Sequence, residues 1–414
     1  MEAFLFYNEF MKKREYPLLT ITDKGERFLN EGNSWVYEDE VLKIDGEVNE
    51  GCIIDVTSKK GKYLGTGFYC SVSKIKVRLF SYNASDTYDE DFFKRRVKYA
   101  VDYRLTVMQD LSNCRIVFGD ADGLPGLTVD KYNDILVSQI TTVGIEIRKD
   151  IIFKSLLEIF KELNITINAI YERNDVKSRS LDGLNLYKDY YYTSDSFDKN
   201  TKETIIIENG IKYYVDYVNG QKTGFFLDQK FNRELVSKIA KGKRVLDCFT
   251  HTGSFGLNCA KGGASKVTSV DISELAIEQS KRNALLNGMG DKIDFVCADV
   301  FEYLDSVKKK EYDLIILDPP AFTKSKDTVK SAYNGYKHIN SRAISLLGKG
   351  GYLVSCSCSH FMNEELYVKM LLDAAKENNV TLKQISFSQQ GKDHPILLSD
   401  KQNDYLKFYI LQVN

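Results

Sequence analysis

Four aspartates and two cysteines are the residues of this chain best placed to do chemistry. Asp247, Asp271, Asp299 and Asp318 each close a short apolar run. A carboxylate at the end of a strand can accept hydrogen bonds from ribose hydroxyls, which suits Asp271. Asp299, closing C-A-D-V, is set to accept from an adenine amino group. Acidic groups repel phosphate, so the set points to a nucleoside-bearing cofactor without phosphates. S-adenosylmethionine fits, whereas ATP and NAD fit poorly. The plainer role of each aspartate is to cap the next helix. The cysteines stand two apart in S-C-S-C-S (355–359), on the same side of a strand. Buried, inert thiols are the commonest outcome for cysteine, and His360 alone does not complete a metal set. The sharper reading is a nucleophile. A thiolate adding to C6 of a pyrimidine makes C5 enamine-like and able to accept a methyl group, and loss of the C5 proton then expels the sulfur. That chemistry needs a thiol acidified below its usual range and a protonated carboxyl or cation at the N3 side, for which Asp318 is the candidate.

The loops around these residues are built for such work. R-V-L-D-C-F-T-H-T-G-S-F-G (244–256) reads as a strand, a tight turn and a helix start. Gly253 and Gly256 allow backbone to approach a ligand, and the free N–H groups of the turn favour a carboxylate. The pattern is not G-x-G-x-x-G, which argues against a dinucleotide. In D-P-P-A-F (318–322) Pro319 and Pro320 end the strand rigidly, and Phe322 offers a flat face for a base. The dense mix of Gly, Lys, aromatic and Asp in G-Q-K-T-G-F-F-L-D-Q (220–229) suggests a cover over the cofactor, with Lys222, Phe226 and Asp228 as its polar and aromatic members. G-Y-K-H-I-N (335–340) is either a helix lead-in or, through Lys337, a hold on the substrate.

These motifs need a framework. From Ile205 onward, strands at Arg244–Asp247, Lys266–Asp271, Lys292–Ala298, Tyr312–Leu317 and Gly351–Cys358 alternate with helices at Phe231–Ala240, Ser273–Asn287, Ser341–Leu347 and Glu364–Asn378. Repeated βα units imply a doubly wound, mostly parallel α/β sheet, with ligands at the carboxyl ends of its strands. Residues 18–82 read as six short strands punctuated by glycines, a small barrel that either binds RNA or merely packs. Residues 83–200 mix strands with helices at Asp89–Arg104 and Ile151–Leu163 and form an α+β domain, with 186–204 as the link onward. The expected boundaries are 1–82, 83–200 and 201–414. A net charge of −1 confines any nucleic-acid surface to a local patch. Eight cysteines without C-x-x-C pairs suit a reducing cytosol. The N-terminal residues, with Glu2 before a short apolar run, do not read as a signal peptide, and no apolar run is long enough to span a membrane.

With G-Q-K-T-G-F-F-L-D-Q, V-L-D-C-F-T-H-T-G-S-F (245–255), S-V-D-I-S (269–273), L-D-P-P-A-F (317–322), G-Y-K-H-I-N, S-C-S-C-S and D-H-P-I (393–396) in view, the chain resembles the large-subunit ribosomal RNA cytosine-C5 methyltransferase family. The resemblance extends through G-D-A-D-G-L-P-G-L-T-V-D (119–130). It implies an N-terminal PUA barrel, a central α+β domain and a C-terminal Rossmann-like methyltransferase using S-adenosylmethionine on 23S rRNA. It puts the nucleophile on Cys358, assisted by Asp318. The expected cofactor residues are Asp247, Phe249, Thr252, Gly253, Asp271, Ile272, Ser273, Asn283, Asp299, Val300 and Asp318, with Lys222, Phe226 and Asp228. The expected substrate contacts are Pro319, Pro320, Phe322, Lys337 and Arg27. Other RNA cytosine-C5 enzymes carry a second cysteine after the proline of this loop, where Ala321 stands here, so another base or water must take the C5 proton. The resemblance also implies a cytoplasmic homodimer. Competing readings are a guanine-N7 or exocyclic-amine methyltransferase on the same scaffold, and a ribosome-assembly factor with a vestigial pocket.

Overall fold

The computed structural model describes residues 14–400 and 403–414; the N-terminal reading against a signal peptide falls on residues outside this range. The chain forms two compact units. Among the described residues, the first comprises 14–204, 215–225, 392–400 and 403, and the second 205–214, 226–391 and 404–414. The chain therefore crosses between units more than once, where a single crossing near residue 200 was expected.

In the first unit, strands Trp35–Tyr37, Ile75–Ser81, Tyr63–Tyr69, Ile53–Thr57, Leu18–Ile21 and Val41–Asp45 lie in that order in one sheet. Leu19, Ile21, Val36, Ile54, Val56, Val77 and Leu79 alternate inward and make its core. Helix Asp23–Asn30 starts on Thr22, whose side chain accepts from Gly25 N, and carries Arg27, exposed, in its last turn. A second, five-stranded sheet runs Tyr187–Thr193, Ala169–Asn174, Ile135–Ile140, Leu127–Tyr132, Asn113–Phe118. The stretch taken as a link thus holds an edge strand. Its polar sequence Y-K-D-Y-Y-Y-T hid it, since an edge strand tolerates charge on its open face. Helix Glu90–Val107 is capped by Asp89. Its basic face is neutralised locally, Lys94 by Glu158 and Lys98 by Asp102. D-H-P-I belongs to this unit: Asp393 accepts from Arg115 N at 2.8 Å and pairs with His394 at 2.9 Å.

The second unit is built on a seven-stranded sheet: β1 (Arg244–Cys248), β2 (Lys266–Asp271), β3 (Ile293–Cys297), β4 (Leu314–Leu317), β5 (Tyr352–Ser357), β6 (Leu382–Ser388) and β7 (Lys407–Val413). Their order is β3-β2-β1-β4-β5-β7-β6. The first five are parallel, and β7 runs antiparallel between β5 and β6. L-I-I-L of β4 is wholly buried, as a strand covered on both faces requires. Six helices flank the sheet: α1 (Lys230–Ile239), α2 (Ser254–Lys261), α3 (Glu274–Leu286), α4 (Val300–Ser306), α5 (Val329–Leu347) and α6 (Glu364–Glu377). The strand order reverses between β1 and β4, the switch point at which α/β sheets bind ligands. α5 is far longer than the Ser341–Leu347 expected and absorbs G-Y-K-H-I-N into its middle. Gly335 obscured it: a Cβ there would stand 3.2 Å from the Phe322 ring, so glycine is kept inside the helix for packing. No helix among the described residues is long and apolar enough to cross a membrane.

Candidate functional site

The site is built at the carboxyl ends of β1, β2, β4 and β5. Asp247, near the end of β1, is buried. Its Oδ2 accepts from the Thr250 hydroxyl and, at 2.9 Å, from Gly256 N. Its Oδ1 is buried with no hydrogen-bond partner among the described residues. Burial pushes the carboxyl up to about 7, against the help of those donors. The turn that follows is strained. Phe249 and His251, neither a glycine, hold φ of 60° and 49°, and Gly253 holds 79°. Ser280 donates to His251 O at 2.7 Å and Asn283 to Thr252 O at 2.9 Å, which clamps the turn onto α3. Asn283 also accepts from Tyr214 N, so both ends of its amide hold backbone. Thr252 is buried and Phe249 half-buried.

Asp271, ending β2, accepts from His251 N at 2.9 Å and Ser273 N at 3.0 Å. Ile272 beside it is 69% exposed, an apolar side chain held open where a planar base could lie on it. Ser273 caps α3 by accepting from Ala276 N. Asp299 does the plainer job considered for it: its Oδ1 accepts from Phe301 N and Glu302 N and caps α4, with Val300 buried in the first turn. Phe226 meets the His251 ring edge-on at 5.1 Å, and Asp228 accepts from Tyr405 at 2.6 Å. Lys222, exposed with φ of 53°, belongs to the first unit.

Asp318 follows β4. Gln229 Nε2 donates to it at 3.2 Å and is held in turn by Asn232, which accepts from Ser388. Burial, then repulsion from Asp228, pushes Asp318 up to about 7 despite the Arg233 guanidinium. That guanidinium is spent elsewhere, in a buried bidentate pair with Glu208 at 2.7 and 2.9 Å. Asp228 and Asp247 both act on Asp318 as like charges.

The S-C-S-C-S strand end meets the D-P-P loop. Cys358 is half-buried, and its thiol lies 3.9 Å from Pro319 O, to which it donates. Cys356 is fully buried, and burial raises its thiol well above the ordinary range. The serines are struts: Ser355 bonds Asn340 and Tyr367, and Ser359 bonds Tyr336 at 2.9 Å. Pro319 is buried and Pro320 exposed. Phe322 packs on Tyr336 at 4.4 Å and stacks towards Phe301 at 6.4 Å, so much of its ring is core. Lys337 points to α6, in a 2.7 Å ion pair with Glu377. Its helical position supplies this partner one helix away. Gln229, Asn232, Arg233, His251, Tyr405 and Lys407 were not read as site residues. Gln229 and His251 lie in motifs already singled out, whereas Asn232, Arg233, Tyr405 and Lys407 have no local signature.

The acidic, strained pocket suits a cationic nucleoside ligand. S-adenosylmethionine carries a sulfonium and an ammonium to set against the carboxylates, and Asp247 Oδ1 is an acceptor awaiting a donor. Residues 183–387 match a family model described as an S-adenosylmethionine-dependent methyltransferase, and residues 19–82 one described as a PUA-like domain. A solved protein described as a methyltransferase, complexed with S-adenosylhomocysteine, has the same fold: TM-score 0.80 at 22% identity, covering 96% of this chain and 100% of its own. A Streptococcus mutans structure described as an S-adenosylmethionine-dependent methyltransferase follows at TM-score 0.78, with 22% identity and the same coverage. Fold and site together define a class I, S-adenosylmethionine-dependent methyltransferase with an N-terminal PUA-like domain. A protein of Aeromonas salmonicida named ribosomal RNA large subunit methyltransferase I is 37% identical over 392 residues, 94% of this chain and 97% of that protein. Its namesake in Aliivibrio fischeri is 36% identical over 396 residues, with the same coverage. The chain belongs to the ribosomal RNA large subunit methyltransferase I family.

Proposed function

We propose that this protein methylates C5 of a cytosine in large-subunit (23S) ribosomal RNA through a covalent bond from Cys358 to C6. The observation that carries this reading is the half-buried Cys358 thiol beside Pro319 of the D-P-P loop, with Cys356 sealed in the core. When bound, S-adenosylmethionine supplies the electrophilic methyl group that C5 takes. Asp247, Asp271 and the Phe249–Gly253 turn hold the cofactor, with Ile272 against its base. Ser273, Val300, Asn283 and Asp299 support the walls, and Phe226 and Asp228 complete the pocket. Cys358, as thiolate, adds to C6, and the electron pair displaced from the C5–C6 bond makes C5 nucleophilic. Asp318, held near half-protonation at neutral pH, donates to N3 and stabilises the charge that develops on the ring. After methylation the C5 proton leaves to a base or water, the C5–C6 double bond re-forms and sulfur departs as thiolate. Pro319, Pro320 and the open edge of Phe322 guide the base, and Arg27 of the first unit contacts RNA phosphate.

The test is Cys358→Ala. Methylation is lost, while calorimetry shows cofactor affinity within about twofold of wild type. Full turnover in that variant would overturn the covalent route. Methylguanosine in place of 5-methylcytidine among the product nucleosides would favour the guanine reading. We also take the chain as three functional modules, 1–82, 83–200 and 201–414, working in the cytoplasm as a homodimer. Sedimentation at working concentration tests the dimer, and a monomer there refutes it.

A further inference from the structure

β7 lies antiparallel against β5, with Lys407 directly opposite Ser357, the residue before Cys358. The Lys407 side chain is buried, and its Nζ donates to Ser359 O, the residue after Cys358, at 2.8 Å. A second donation goes to Tyr405 O at 2.9 Å. The lysine therefore brackets Cys358, opposite one neighbour through the ladder and bonded to the other through its side chain. Both acceptors are neutral carbonyls, which orient the ammonium without cancelling its charge. A buried cation held this way is costly to keep, and a Met or Leu would fill the space at less cost.

We propose that Lys407 is a positioning residue for the nucleophile: it fixes the Ser359 carbonyl, and so the Cys358 main chain, and sets a cation beside the sulfur that favours the thiolate. This rests on the reading of Cys358 as nucleophile. The charged and titratable groups facing Lys407 are Asp404, Glu364 and Cys358, and each favours its protonated form. Burial outweighs them and brings the amine down to about 8. The charge is thus largely present at neutral pH and fades just above it, over the range in which a thiol ionises. A structural tether alone would accept any hydrogen-bonding side chain. A thiolate partner has to be cationic.

The experiment reads the thiol itself. Iodoacetamide labelling of Cys358 is followed across pH by peptide-resolved mass spectrometry, with exposed Cys297 replaced by Ser. In Lys407→Met and Lys407→Gln the labelling midpoint moves up by roughly one pH unit relative to the Lys407 protein, the size expected for loss of a nearby opposite charge. Lys407→Arg restores it. The acid limb of the kcat/KM profile for methylation moves by the same amount. An unchanged midpoint in either neutral variant, with cofactor affinity intact, overturns the proposal. Should both neutral variants misfold, the coupling is read from the other side by carbon NMR of labelled lysine in the wild-type and Cys358→Ala proteins. Lys407 then titrates at lower pH without the thiol, and identical titration refutes the assignment. Full activity of Cys358→Ala would refute the nucleophile and leave the labelling result standing, so the two failures are distinguishable.

Discussion

At the scale of single residues, the site works by holding carboxyl groups where they ionise reluctantly. Asp247 and Asp318 are both pushed up to about 7 by burial. In the unfolded chain they ionise near 4, so between about pH 4 and 7 the native protein holds more protons and loses stability as pH rises. Asp247→Asn removes one of these charges. We expect the ligand-free variant to melt higher than wild type at pH 8 and to converge with it near pH 4, while its cofactor affinity falls. Calorimetric melting across pH checks this, and a lower melting temperature at pH 8 contradicts it. Asp318→Asn should lower kcat, and its pH–rate profile should lack the fall expected of the wild type as Asp318 ionises above about pH 7. For Asp271, loss of an acceptor for charged or strong donors is worth ~1.5–3 kcal/mol, so Asp271→Ala should weaken cofactor binding roughly ten- to a hundredfold.

At the scale of elements, the turn between β1 and α2 is the part that cannot change shape. Gly256 brings α2 against β1 and β2. A Cβ there would stand 2.6 Å from Ser269 Oγ and 3.1 Å from Asp247 Oδ2. Gly256→Ala should cost about 1–3 kcal/mol of stability through overpacking and weaken cofactor binding as well. A variant with wild-type melting and affinity would show that the turn yields. Much of this element was legible in the sequence, because a parallel strand announces itself as an apolar run and a ligand turn by its glycines. The strain was not: Phe249 and His251 are ordinary residues to read, and the hydrogen bonds that hold their turn come from Asp247, Asp271, Ser280 and Asn283 elsewhere in the fold. Nor was β7 legible as part of the site. K-F-Y-I-L-Q-V (407–413) was not read as a strand, and its partner β5 is far away in sequence. Lys407 was accordingly not singled out in the sequence. The Glu377 partner of Lys337 was likewise not legible, because it stands on another helix.

At the scale of the whole molecule, each unit takes in separated parts of the chain, residues 215–225 and 392–400 folding with the first. Sequence reading finds domains as consecutive stretches, and so it drew its boundaries after residues 82 and 200. The cofactor should stabilise this assembly by linkage: at a hundredfold excess over Kd the native state gains about 2.7 kcal/mol. The corresponding rise in melting temperature should shrink in Asp271→Ala. The central claim concerns a bond from Cys358 to a cytosine ring, and trapping that bond tests it most directly. Large-subunit RNA containing 5-fluorocytidine cannot lose the C5 substituent as a proton, so the adduct should persist after methylation. We predict a protein–RNA complex stable to denaturation, with the crosslink mapped to Cys358 and absent from Cys358→Ala. Methylation of native RNA without any trapped complex, or a crosslink mapped to another residue, would contradict the account.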